Sequence, residues 1–122
     1  MLKHRLAVSD PSIKGHRLKE IKKTILEYLH YNRQDGSFIL VNDSLGTTQK
    51  LHLLELYKGI MRKKGIYINR SDFHDEQGRR YTLEFLIAKD GEKMYIIKTN
   101  IYPYNRLAEQ QFSRGITLVK AV

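Results

Sequence analysis

Residues 79–103 read RRYTLEFLIAKDGEKMYIIKTNIYP, and the fold is decided there. Tyr81, Leu83, Phe85 and Ile87 alternate with Arg80, Thr82, Glu84 and Leu86, the period of a strand with one buried face. Asp90-Gly91 is a strong two-residue hairpin signal. Met94-Tyr95-Ile96-Ile97 then opens a return strand that runs to about Tyr102, where Pro103 ends the pairing. With Asp90-Gly91 as the turn, Leu83, Phe85 and Ile87 lie beside Lys98, Ile96 and Met94 on a mostly apolar face that should receive a helix. The other face gathers Arg80, Thr82, Glu84 and Thr99.

Upstream, Leu18, Ile21, Ile25, Tyr28 and Leu29 draw one helical stripe from Arg17 to about Tyr31, and Asp35-Gly36 is the turn that follows. Phe38-Ile39-Leu40-Val41 reads as a strand. A second helix is expected from Thr47 or Thr48 to Lys64, stopped by Gly65, with Leu53, Leu54, Tyr57, Ile60 and Met61 buried. Arg62, Lys63 and Lys64 would then complement its dipole in the last turn. Ile66-Tyr67-Ile68 is expected as a strand before a polar loop from Arg70 to Gly78. A short helix from Asn105 to Phe112 and a last strand from Ile116 to Val119 complete the order. The fold class expected is α+β, with two N-terminal helices packed on one face of a small antiparallel sheet. One domain spans 1–122, its first 16 residues an irregular basic segment.

The chain has 122 residues, 22 Lys plus Arg against 13 Asp plus Glu, and a formal charge of +9. Residues 1–23 carry +5 of this and residues 58–80 the other +4. Clustered positive charge attracts a polyanion, and nucleic acid is the commonest one. The absence of cysteine excludes disulfides, thiolate metal sites and a cysteine nucleophile. No apolar run approaches the length of a membrane helix, and no signal-peptide stretch is seen, so no membrane partner and a cytoplasmic setting are expected, with delivery into a target-cell cytoplasm as the variant. No His pair has metal-ligand spacing and no phosphate-binding glycine loop occurs, so no metal and no cofactor are expected.

Arg80, Glu84 and two hydroxyls on one open sheet face suit a phosphodiester: Arg to hold the phosphate, Glu to take the proton of a ribose 2′-hydroxyl. An antiparallel sheet ordinarily keeps one wet, polar face, so the same residues also fit a plain surface. The general acid would come from elsewhere, with His4, His16 and His74 as candidates that spacing does not separate.

The stretch Arg79 to Phe85, followed by Ile96-Ile97-Lys98-Thr99-Asn100-Ile101-Tyr102-Pro103, resembles the last strands of the barnase/EndoU/colicin-nuclease/RelE-like superfamily of small toxin ribonucleases. The resemblance covers roughly the last third of the chain. It implies a metal-independent RNA endonuclease of bacterial or phage toxin type, with Thr99 and Tyr102 as site residues beside Arg80 and Glu84. It also implies an acidic antidote or immunity protein as partner. A His or Lys from an N-terminal element would complete the site, and His16 and Lys14 are taken first. Lys14, Arg17, Lys63, Lys64 and Arg79 are the expected RNA contacts. Two other readings stay open: a non-catalytic nucleic-acid-binding or phage-type regulatory protein, and a small protein that binds an acidic protein partner.

Overall fold

Ile21, Ile25 and Leu29, one residue per turn, anchor a 17-residue helix, α1 (Gly15–Tyr31), to one face of a seven-stranded antiparallel sheet. The computed structural model describes residues 5–7, 13, 15–42, 46–104, 106–107 and 117–119. A two-stranded sheet pairs β1 (Arg5–Ala7) with the last strand, Thr117–Val119. The N-terminal segment expected to be irregular therefore holds a strand. Between α1 and Thr117, the large sheet is a meander. Its strands are β2 (Arg33–Gln34), β3 (Ser37–Asn42), β4 (Thr47–Glu55), β5 (Met61–Lys63), β6 (Ile66–His74), β7 (Arg80–Asp90) and β8 (Lys93–Pro103). Thr117–Val119 is β9. The order is β2-β3-β4-β6-β7-β8, and β5 also pairs with β6. The short helix expected from Asn105 lies for the most part outside the described residues.

The expected architecture of two helices on a small sheet is corrected: one helix lies on a large sheet, and the fold is mostly β. The second helix does not form. Gln49, Lys50, Leu51, Leu53, Leu54 and Glu55 are all good helix formers, which is why the stretch reads as helical. Pairing with β3 on one side and β6 on the other overrides that weak preference. The buried leucine is Leu51, whereas Leu53, Leu54 and Met61 of the expected helical stripe are exposed.

β4 and β5 run along the same edge of β6, β4 against Asp72 to His74 and β5 against Ile66 to Ile68. They amount to one strand interrupted at residues 56–60. The interruption faces Asn69 and Ser71, which are fully buried and whose side chains replace the missing ladder bonds. Asn69 Nδ2 donates to the carbonyls of Tyr57 (2.7 Å) and Gly59 (3.2 Å). Ser71 Oγ accepts from the Tyr57 N–H (3.0 Å) and donates to Asn69 Oδ1 (2.7 Å). Two polar residues that suggest a loop are thereby at home in a central strand, since every buried group finds a partner. β6 accordingly extends to His74, and the expected loop shrinks to residues 75–79.

The β7–β8 hairpin forms, with a different register. Asp90 pairs with Lys93, so Gly91 and Glu92 are the turn. Only Gly91 of the two has positive φ (62°), as a type II′ turn requires. This slip of two leaves each side chain on its expected face. A bulge at Ile97 then adds one residue, so Leu86 pairs with Lys98, Phe85 with Thr99 and Glu84 with Asn100. An odd shift exchanges faces. Beyond the bulge, Thr99 and Ile101 join the helix-covered face, and Asn100 and Tyr102 join Glu84.

The core gathers Ile13, the three α1 residues, Phe38, Leu51, Phe73, Leu83, Phe85 and Ile87. Tyr28 of α1 spans it, with ring centroids 5.6 Å from Phe38 and 6.2 Å from Phe85.

Candidate nucleic-acid interface

On the sheet face away from α1, cross-strand neighbours pair charge with charge. Glu84 sits opposite Arg70 and accepts from Arg70 Nε (2.9 Å) and Nη2 (2.8 Å). Its other oxygen accepts from Asn100 Nδ2 (3.0 Å) and lies 3.5 Å from the Tyr102 hydroxyl. Asp72, beside Thr82 on the neighbouring strand, forms a charge-assisted pair with Arg80 through both carboxylate oxygens. The Arg80 guanidinium lies 3.9 Å from the centroid of the Tyr104 ring. Both carboxylates are buried beneath the arginines that neutralise them. Glu84 therefore has no oxygen oriented to receive a substrate proton in this arrangement, and the Nε–Nη2 edge of Arg80 already holds a carboxylate.

The expected site residues separate. Arg80, Glu84 and Tyr102 share the outer face. Thr99 lies on the opposite face, where its hydroxyl donates to the Tyr28 hydroxyl (3.1 Å). His16 is exposed in the first turn of α1, the helix that covers that same inner face. The sheet thus stands between His16 and Glu84. Lys14 and His4 lie outside the described residues.

The remaining expected contacts divide likewise. Arg79 is held by Asp75, with Arg79 Nε donating to Oδ2 (2.7 Å) and the Arg79 N–H to Oδ1 (2.9 Å). Gln77 N–H also donates to Oδ1 (2.9 Å), and the Tyr81 hydroxyl reaches Oδ2 (3.3 Å). Burial is the largest influence on the Asp75 carboxyl and raises its pKa. Together, the hydrogen bonds and charge of Arg79 and the Gln77 N–H outweigh burial and hold it below the ordinary 3.8. The same partnership raises the Arg79 guanidinium. Arg79 thus closes the β6–β7 loop. Arg17 is ion-paired to Glu20 one turn on (3.1 Å). Lys63 and Lys64 are exposed at the β5–β6 turn, where Lys64 (φ 52°) and Gly65 (φ 79°) take the two positive φ values of a type I′ turn. They do not complement a helix end, so that account of this basic block no longer applies.

The structure adds a feature that spacing did not reveal. A groove of about 450 Å³ runs between α1 and the 56–60 interruption. Lys19 and Lys22 line it from α1 and Lys58 from the interruption, over apolar walls that include Leu18, Ile25 and Ile60. No carboxylate lines it among the described residues. Lys19 and Lys22 continue onto the open surface of α1 with Lys23. Lys58 of the second basic block therefore lies beside Lys19 and Lys22 of the first. The off-stripe positions of Lys19, Lys22 and Lys23 were legible as an exposed helix face. Lys58 carries no such signal, because residues 56–60 fall inside the helix expected from Thr47 or Thr48 to Lys64.

Among the described residues no cluster of three or more His, Asp or Glu could hold a metal ion. No helix among them is long and apolar enough to cross a membrane. No family model, curated protein or solved structure matches the chain.

Proposed function

We propose that this protein binds single-stranded nucleic acid along the groove between α1 and residues 56–60, and that it does so without cleaving the strand. The observation that carries this reading is the meeting of Lys19, Lys22 and Lys58 on one groove with no carboxylate among its described lining residues. Cations along a groove track a phosphate backbone, and apolar walls between them accept the faces of unstacked bases. A duplex buries its base faces and makes no use of such walls. The separation of His16 and Thr99 from Arg80 and Glu84, and the internal pairing of both carboxylates, support binding over acid–base cleavage.

The test is fluorescence anisotropy of a labelled 12-nucleotide RNA at low salt, with the RNA then run on a denaturing gel in chelator and in magnesium. The double variant Lys22→Ala/Lys58→Ala is expected to bind about tenfold more weakly, allowing for the solvent screening of exposed cations. The RNA is expected to remain intact. Cleavage in chelator would restore the ribonuclease reading. Absence of binding at low salt would overturn the nucleic-acid reading and make an acidic protein surface the better ligand for these lysines.

A further inference from the structure

A second concavity, of about 360 Å³, lies between the C-terminal half of α1 and the β2–β4 end of the sheet. Its floor is the apolar core itself, with Phe38 and Phe73 reaching it. Leu26 and Leu53 flank it and remain 41% and 40% exposed, unusual for leucines beside a core they could join. Its polar side chains among the described residues are His30 and Arg33, with no carboxylate among them.

His52 borders the cleft along β4, but the register turns its ring to the opposite sheet face, the one that carries His74 and Arg80. Its Nε2 lies 3.3 Å from Ser37 Oγ, and its ring stacks on His74 with centroids 5.1 Å apart and planes at 26°. His74 is fixed in turn, its Nδ1–H donating to the Asp75 carbonyl (2.8 Å). The cleft thus combines an apolar slot with the Arg33 guanidinium and the His30 imidazole at its mouth.

We propose that this cleft binds a single nucleotide, its base between Leu26 and Leu53 and its phosphate on Arg33. The volume falls in the range of small-ligand pockets, which are apolar with a few convergent polar groups. A guanidinium offers the planar fork that suits phosphate oxygens. The lack of a carboxylate among the described lining residues disfavours a cationic ligand, and the exposed leucines leave a purely polar anion with nothing to cover them. The proposal rests on the nucleic-acid reading only for the source of the nucleotide, which is either the end of a bound strand or a free mononucleotide.

The test uses AMP and inorganic phosphate as probes of the full chain, read by amide NMR. AMP should shift the amides of Arg33, His52 and Leu53. Arg33→Ala, an exposed position whose variant should keep its thermal midpoint, should weaken AMP about tenfold. Lys93→Ala, at the far hairpin, should leave AMP affinity unchanged. Leu53→Ser should weaken AMP more than it weakens phosphate. Competition between AMP and the 12-nucleotide RNA would identify a strand end as the ligand, and AMP binding without competition would identify a free nucleotide. If the RNA binds but millimolar AMP shifts no amide in the cleft, the pocket is overturned and the groove reading stands. If AMP binds and the RNA does not, the pocket stands and the groove reading falls.

Discussion

Glu84 is buried on the polar sheet face with one carboxylate oxygen on Arg70 and the other on Asn100. Replacing it with Gln removes the charge that Arg70 faces while keeping the shape. Because Arg70 is partly exposed and can turn to water, Glu84→Gln should destabilise the fold by about 1–3 kcal/mol in urea unfolding. A catalytic base would show the reverse pattern, lost cleavage at unchanged stability. Asp75 makes a complementary prediction through pH. Its folded pKa is lowered, so its contacts stabilise the fold above the ordinary value of 3.8, and that contribution is lost as pH falls through the folded value. The stability gap between the wild type and Asp75→Asn should be full at pH 5–7 and should shrink below about pH 4. A gap that persisted unchanged into strong acid would show that the carboxylate's charge does not hold the loop.

At the scale of elements, the interruption between β4 and β5 depends on Asn69 and Ser71. Asn69→Ala would remove the amide that donates to the Tyr57 and Gly59 carbonyls, at a cost of about 1–3 kcal/mol. Amide hydrogen exchange should quicken at residues 57–60 more than elsewhere, because this segment lies outside the strands and Asn69 tethers it directly. Uniform acceleration across the sheet would contradict a local tether. The same element shows what the sequence could tell. α1, β3 and the β7–β8 hairpin were legible because each carries a clean apolar period or a glycine turn. β4 was not, since its residues prefer helix and only its neighbours make it a strand. The hairpin's faces were legible as far as Ile96. The bulge at Ile97 has no signature in local residue type, and it moved Thr99 away from Glu84 and brought Asn100 in its place.

Across the whole molecule, the +9 charge is distributed with purpose. Several of its arginines are committed: Arg70 and Arg80 to buried carboxylates, and Arg79 to a loop. Lys19, Lys22 and Lys58 instead line an open groove, which is where an anionic strand gains most from counterion release. Composition announced the charge, and only the fold distinguishes cations used in packing from cations presented to solvent. The direct test is the salt dependence of RNA affinity for the wild type and for Lys19→Ala/Lys22→Ala/Lys58→Ala. The account predicts a steep linear fall of log affinity with log salt for the wild type, and a slope shallower by about 2 in the triple variant. Equal slopes in the two proteins would contradict it.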